Sequence, residues 1–152
     1  MEKLYVDQTV TINAPATKVW EALTKPESTA QWAKEFSSGG PEFHIESDWQ
    51  MGSPVEWKGA DGTVIVEGNV TALEPLKLLR FTVFDTRSER PKVGPEDGIT
   101  FQLSEQNGQT SLHVLQGDFS TIPDGNGQKY RDKSAETWSR VLPIVKKIAE
   151  QT

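Results

Sequence analysis

The chain opens on alternation. Between Leu4 and Ile12 the apolar residues Leu4, Val6, Val10 and Ile12 occupy even positions, with Thr9, Thr11 and Asn13 on the other face. Period two is the mark of a half-buried strand. The pattern breaks at Asn13-Ala14-Pro15, and Val19, Ala22 and Leu23 then recur at helical spacing beside Trp20. Proline suits the first turn of a helix, where its missing N–H would have had no partner. Lys25-Pro26 stops this helix and opens a second one through Trp32, so the spacing predicts two short helices in tandem.

Strand-like segments follow the break at Gly39-Gly40-Pro41. Phe43 and Ile45 share a face of Glu42–Ser47, and Val55 and Trp57 share one of Ser53–Lys58. Asp61-Gly62 is a hairpin signal. Over Thr63–Leu73, Val64, Val66 and Val70 oppose Glu67, Asn69 and Thr71; Leu79, Phe81 and Val83 share the next face. Arg87–Gly98, with Pro91, Gly94 and Pro95 among charged residues, reads as a long exposed loop. Ile99, Phe101 and Leu103 then alternate with Thr100, Gln102 and Ser104. Asn107-Gly108 makes a two-residue turn, and Thr110, Leu112 and Val114 return.

After Asp124-Gly125-Asn126-Gly127 the period changes. Ala135, Trp138, Val141, Leu142, Val145, Ile148 and Ala149 recur at steps of three and four, a broad apolar stripe on one long helix. Pro143 lies inside it, removes one backbone bond and crowds the carbonyl of Ser139, which predicts a local kink. The order is thus strand, two short helices, about six strands, one long helix. Strands joined by short turns are normally antiparallel neighbours. A sheet of about seven strands with one polar face needs cover on the other, and the long helix is the element large enough to supply it. The expected class is α+β, in one domain over residues 1–152.

Composition narrows the function. Hydrophobic residues make up 35% and charged ones 25%, as in a folding chain. Cysteine is absent, which removes disulfides, Cys-ligated zinc and a thiol nucleophile. The net charge of −6 comes with no basic stripe, so no nucleic-acid partner is expected. No apolar run approaches the roughly 20 residues that span a bilayer, and the N-terminus has no signal-peptide stretch. No membrane insertion is expected, and the cytoplasm is the expected location.

Candidate chemistry is sparse. His44 and His113 alternate against their apolar neighbours and should face away from the interior, where a base has no partner. Two histidines on separate strands give no metal-ligand spacing, so neither a metal nor a cofactor is expected. Glu46 with Asp48, and Glu96 with Asp97, read as solvated faces. Phosphate loops, dinucleotide fingerprints and nucleophile elbows are absent. Ser37-Ser38-Gly39-Gly40 reads as a flexible hinge. The five tryptophans stand out: Trp20, Trp32, Trp49, Trp57 and Trp138. Core packing accounts for Trp20, and it competes with a ligand-facing role for the others.

Certain stretches resemble a known family. Thr11-Ile12-Asn13-Ala14-Pro15 with Val19-Trp20-Glu21-Ala22-Leu23 looks like the start of the START-like superfamily of polyketide cyclases/dehydrases and lipid-transport proteins. Gln31-Trp32, Trp49-Gln50-Met51-Gly52-Ser53-Pro54, Glu74-Pro75, Leu79-Arg80-Phe81-Thr82 and the tail from Trp138 to Lys146 are similar to one branch. That branch is named after the C-terminal domain of the activator of heat-shock protein 90 ATPase. Thr137 stands where glycine is frequent in the family, and Gly52-Ser53 where a Gly-Gly pair is usual.

The resemblance implies a helix-grip fold, a curved sheet around the C-terminal helix, with a cavity between them. It implies binding of a hydrophobic or amphipathic small molecule or lipid there. The alternatives are a cyclase/dehydratase- or hydrolase-type enzyme in the same cavity and a protein-interaction domain regulating a chaperone ATPase. Activators proper engage the chaperone through a separate N-terminal domain, for which 152 residues leave no room, so the chaperone reading ranks last. The residues expected to line the cavity are Trp32, Phe43, Trp49, Trp57, Val66, Phe81, Phe101, Leu112, Trp138 and Leu142, with Trp32 and Trp49 near its mouth. The chain is expected to be a monomer, or a homodimer pairing through an edge strand within Glu42–Trp57.

Overall fold

Alternation, turn residues and one apolar stripe fold into a curved antiparallel sheet that grips a long helix. The structure, a computed structural model, describes residues 3–37, 43–59, 61–85, 98–121 and 127–151. The expected hinge at 37–40, apart from the backbone of Ser37, and nearly all of the expected loop at 87–98 lie outside the described residues. Strand β1 (Val6–Ile12) leads into helices α1 (Ala16–Thr24) and α2 (Pro26–Trp32), then a short 3-10 turn, Ala33–Ser37. The strands β2 (Phe43–Ser47), β3 (Pro54–Gly59), β4 (Val64–Glu74), β5 (Leu78–Phe81), β6 (Phe84–Asp85), β7 (Ile99–Gln106) and β8 (Gln109–Gln116) follow. A second 3-10 turn, Phe119–Thr121, precedes α3 (Gly127–Glu150).

The sheet runs β1-β8-β7-β5-β4-β3-β2, all antiparallel, with the two-residue β6 paired to β4. Strand β6 is an addition to the sequence expectation, too short to show a period. The turn between β7 and β8 is the expected one: Asn107 and Gly108 both take positive φ, 55° and 78°, between the paired Gln106 and Gln109. Strand β4 bends the sheet. Its register slips against β3 at Trp57/Lys58 and against β5 between Val70 and Ala72. Such irregularities raise the local twist and let a sheet curl.

The expected helix boundaries hold, with Pro15 preceding α1 and Pro26 opening α2. Pro15 leaves the first N–H of α1 without a side-chain cap, and the sheet supplies one: Ala16 N–H donates to Glu105 Oε1 at 2.6 Å. A carboxylate at a helix N-terminus also meets the positive end of the helix dipole. Helix α3 remains helical through Pro143. Thr137 is buried, and its hydroxyl donates to the Lys133 carbonyl at 3.1 Å, a bond that glycine could not make.

Side chains from the helices guard both sheet edges. On β1, Lys146 Nζ donates to the Thr11 carbonyl at 3.0 Å. On β2, Ile45 N–H donates to Thr29 Oγ1 at 2.9 Å, and both residues are fully buried. The edge expected within 42–57 therefore narrows to β2, because β3 is flanked on both sides, and the centre of β2 is already bonded to α2. An unpaired buried N–H costs about 1–3 kcal/mol. Thr29→Val should therefore lower stability by about 2 kcal/mol in urea denaturation, with Thr29→Ser nearly neutral. Equal stability of the valine variant and wild type would refute the guarding role.

Candidate ligand-binding site

Burial along the strands alternates as the pattern requires. Leu79, Phe81, Ile99, Phe101, Leu103, Leu112 and Val114 are buried on the face that α3 covers, and Trp138, Val141, Leu142 and Val145 come down from the helix. Where the two meet, aromatic rings form a continuous chain. Trp49 lies 5.6 Å from Phe81, Phe81 is 5.9 Å from Phe101, and Phe101 is 5.8 Å from Trp138. Trp138 is 6.0 Å from Trp32, which stands edge-on to Trp57 at 6.2 Å and 87°. All of these separations lie in the range of aromatic contact, and Trp49–Phe81, Phe101–Trp138 and Trp32–Trp57 are edge-on, as ring quadrupoles favour.

The polar end of each of three indoles is held. Trp32 Nε1–H donates to the Ala22 carbonyl at 2.9 Å, Trp49 Nε1–H to the Thr24 carbonyl at 3.1 Å, and Trp138 Nε1–H to Gln116 Oε1 at 2.8 Å. Tethering the N–H groups fixes how the ring faces are presented. Trp57 is 3% exposed and pairs across the sheet with Ile45 and Val66, the latter half-buried.

The expected lining residues thus fall into three groups. Trp32, Trp49, Trp57, Phe81, Phe101 and Trp138 come together in the ring chain. Val66, Leu112 and Leu142 belong to the apolar wall around it. Phe43 pairs with Gly59 at the start of β2, and its side chain lies outside the described part of the structure. Trp32 is not at a mouth. It is fully buried, because α2 packs against β2 and draws the indole under α1. Trp49 is half-buried, in the loop between β2 and β3.

One aromatic residue escaped sequence reasoning. Phe36, on the first 3-10 turn, stands 5.1 Å from Trp138 and 5.5 Å from Trp57. Its spacing of four residues from Trp32 was the available signal.

Charges are kept to the periphery. His44 Nε2 lies 2.6 Å from Glu46 Oε2, with Lys58 Nζ 3.5 Å from Glu46 Oε1. The His44 hydrogen bond and then Lys58 hold the Glu46 carboxyl below its usual range. His113 Nε2 lies 2.6 Å from Asp7 Oδ1. It lines a depression of about 350 Å³ with Glu74, Lys77, Leu78, Gln102, Leu103, Ser104 and Ser111. Both histidines thus carry carboxylate partners, which local alternation did not reveal.

Among the described residues Asp118 is the buried ionisable side chain. Its Oδ1 accepts the N–H groups of Leu4 and Ser120, both at 2.9 Å. Burial pushes its pKa up, but the bonds from Ser120 and Leu4 outweigh this and leave it below the ordinary aspartate value. A lowered folded pKa stabilises the fold above the unfolded value of about 3.9, and the gain is lost as pH falls through the folded value. The stability difference between wild type and Asp118→Asn, measured by urea denaturation, should therefore be largest above about pH 4 and shrink at lower pH. A difference independent of pH would contradict this.

The sheet gripping a long helix defines the class: this is a START-like helix-grip fold. Within it, the chain belongs to the activator of Hsp90 ATPase homolog 1-like family, whose model matches residues 13–150. It is similar to the solution structure of ChR145 from Cytophaga hutchinsonii, at 27% identity and a TM-score of 0.70, covering 99% of this chain and 97% of that one. It is also similar to the Aha1 dimer from Colwellia psychrerythraea, at 18% identity and a TM-score of 0.67, over 97% of both chains. A third likeness is DynU16, a putative protein in the dynemicin biosynthetic locus, at 22% identity and a TM-score of 0.68, covering 99% of this chain and 48% of that one. The last two show the fold alone. Comparison with curated proteins finds no match. No helix among the described residues is long and apolar enough to cross a membrane.

Proposed function

We propose that this protein binds a hydrophobic or amphipathic small molecule between the sheet and α3. The observation that carries this reading is the chain of seven rings from Trp49 to Trp57, Phe36 included, with three indole N–H groups tied to protein acceptors. Binding sites for small molecules are mostly apolar and aromatic with a few placed polar groups. The rings touch one another, so a guest enters by parting them. An edge-to-face contact is worth only about 0.5–1.5 kcal/mol beyond its buried area. A flat aromatic or acyl guest replaces such contacts with its own.

Catalysis would need an acid or base aimed at the guest. Among the described residues the buried carboxylate, Asp118, is committed to two backbone N–H groups. Holding a molecule is the better use of this interior than transforming one. The likeness to a protein from a biosynthetic locus makes flat natural-product intermediates worth including among the trial ligands.

Native mass spectrometry of protein purified from cells, followed by titration with fatty acids and aromatic polyketides, tests the proposal. A 1:1 adduct that quenches tryptophan emission is the expected result. Failure of every compound to give an adduct or change the emission would overturn it.

A further inference from the structure

The ring chain described above becomes partly exposed at Phe36, on the 3-10 turn that follows α2. The 3-10 turn Ala33–Ser37 packs against β2 on one side and α3 on the other, so it spans the gap between the sheet edge and the helix. The Phe36 ring projects from this turn into the aromatic chain, edge-on to Trp57 at 85° and to Trp138 at 69°. It differs from its neighbours in burial. Trp32 and Trp138 are fully buried and Trp57 nearly so, whereas Phe36 is half-buried. Phe36 is thus the partly exposed ring of the group around Trp138.

The turn is also a weak element of the fold. A 3-10 turn has poorer hydrogen bonds than an α-helix, and short peripheral elements open at lower cost than core strands. Its base is anchored, since Ala33 is fully buried and its N–H donates to the Thr29 carbonyl. Its far side is held by a surface pair, with Glu35 Oε1 3.4 Å from Arg140 Nε. Arg140 is shared with Glu136, at 3.2 Å. A partly exposed pair of this kind shifts an equilibrium by no more than about fivefold, so it acts as a light latch.

We propose that Phe36 is the gate of the binding space and sets the size of its guest. In the closed state its ring fills the place one aromatic ring of a guest would take. The guest enters as the turn swings out from Ala33, with the Glu35–Arg140 pair opposing the swing. This rests on the binding reading above and adds to it a route and a size limit.

Stopped-flow quenching of tryptophan emission by 2-naphthol, with two fused rings, and alizarin, with three, tests the gate in the full chain. Phe36→Ala should raise the association rate of both probes about tenfold and favour alizarin over 2-naphthol, and Phe36→Leu should fall between. Glu35→Gln lies outside the core and keeps the fold intact. It should speed association by about two- to fivefold, leave dissociation unchanged and lower Kd by the same factor, because the pair is already broken when the guest is bound. Binding of alizarin by Phe36→Ala but not by wild type would also support the size limit. If wild type and all three variants bind with the same rates and the same preference, the gate is overturned while binding stands. If none of the four proteins binds either probe, the binding reading fails and the gate with it.

Discussion

Gly68→Ala is expected to destabilise the protein by about 3 kcal/mol, seen as a lower urea midpoint with an unchanged slope. The reason is local. Strand β4 pairs with β5 from Val70 onward and with β6 at Val66 and Glu67. Between these partners Thr82 crosses over Gly68, with its N–H donating to the Asn69 carbonyl at 3.0 Å and its hydroxyl accepting the Asn69 N–H at 2.9 Å. A Cβ on Gly68 would lie 1.8 Å from the Thr82 carbonyl oxygen and 2.5 Å from its carbon. Those are backbone atoms and cannot rotate away. Thr82→Ala removes the hydroxyl and leaves the carbonyl, so it should not rescue Gly68→Ala. An unshifted midpoint for the alanine variant would show that the crossing yields more easily than these distances imply.

Trp138→Ala is expected to be the most damaging change in the core, at about 3–5 kcal/mol, and to abolish ligand binding in whatever fraction remains folded. Trp138 is fully buried and touches the rings of Trp32, Phe36 and Phe101, so its loss leaves a cavity at the junction of the ring chain. Trp138→Phe separates shape from polarity. It keeps an aromatic ring but removes the donor that Gln116 Oε1 accepts, with an expected cost of about 1–3 kcal/mol. Adding Gln116→Leu should recover part of that cost, because the acceptor left without a partner disappears as well. Chemical denaturation of the single and double variants gives the coupling. Additive effects would mean that the Trp138–Gln116 bond contributes nothing of its own.

Both predictions concern contacts that neighbouring residues cannot announce. The spacing of Val10 and Ile12, or of Val141, Val145 and Ala149, states which face of an element is wet and which is dry. That is enough to lay out seven strands and a gripping helix. Nothing near Gly68 says that Thr82 will cross it, because the crossing exists only once β5 gives way to β6. The expected fold puts Trp32 near the cavity mouth, yet docking of α2 onto β2 buries it completely. Phe36 lies past the last helical residue of α2, and its place among the rings is set by where the 3-10 turn packs against β2 and α3.

The sequence by itself determined the order and period of the elements, the turn at Asn107-Gly108, the prolines that start α1 and α2, and the outward direction of His44 and His113. It also carried the resemblance that names the family. These are local properties, written in steps of two or of three to four residues and in the φ preferences of proline and glycine. The tertiary structure alone decided the slip of β4 against its neighbours, the Glu105 cap on α1, the Thr29 guard on β2 and the assembly of the rings around Phe36 and Trp138. Each joins residues many positions apart. Their meeting depends on how far the sheet curls and where the helices land on it, quantities set by packing and not by any short stretch of chain.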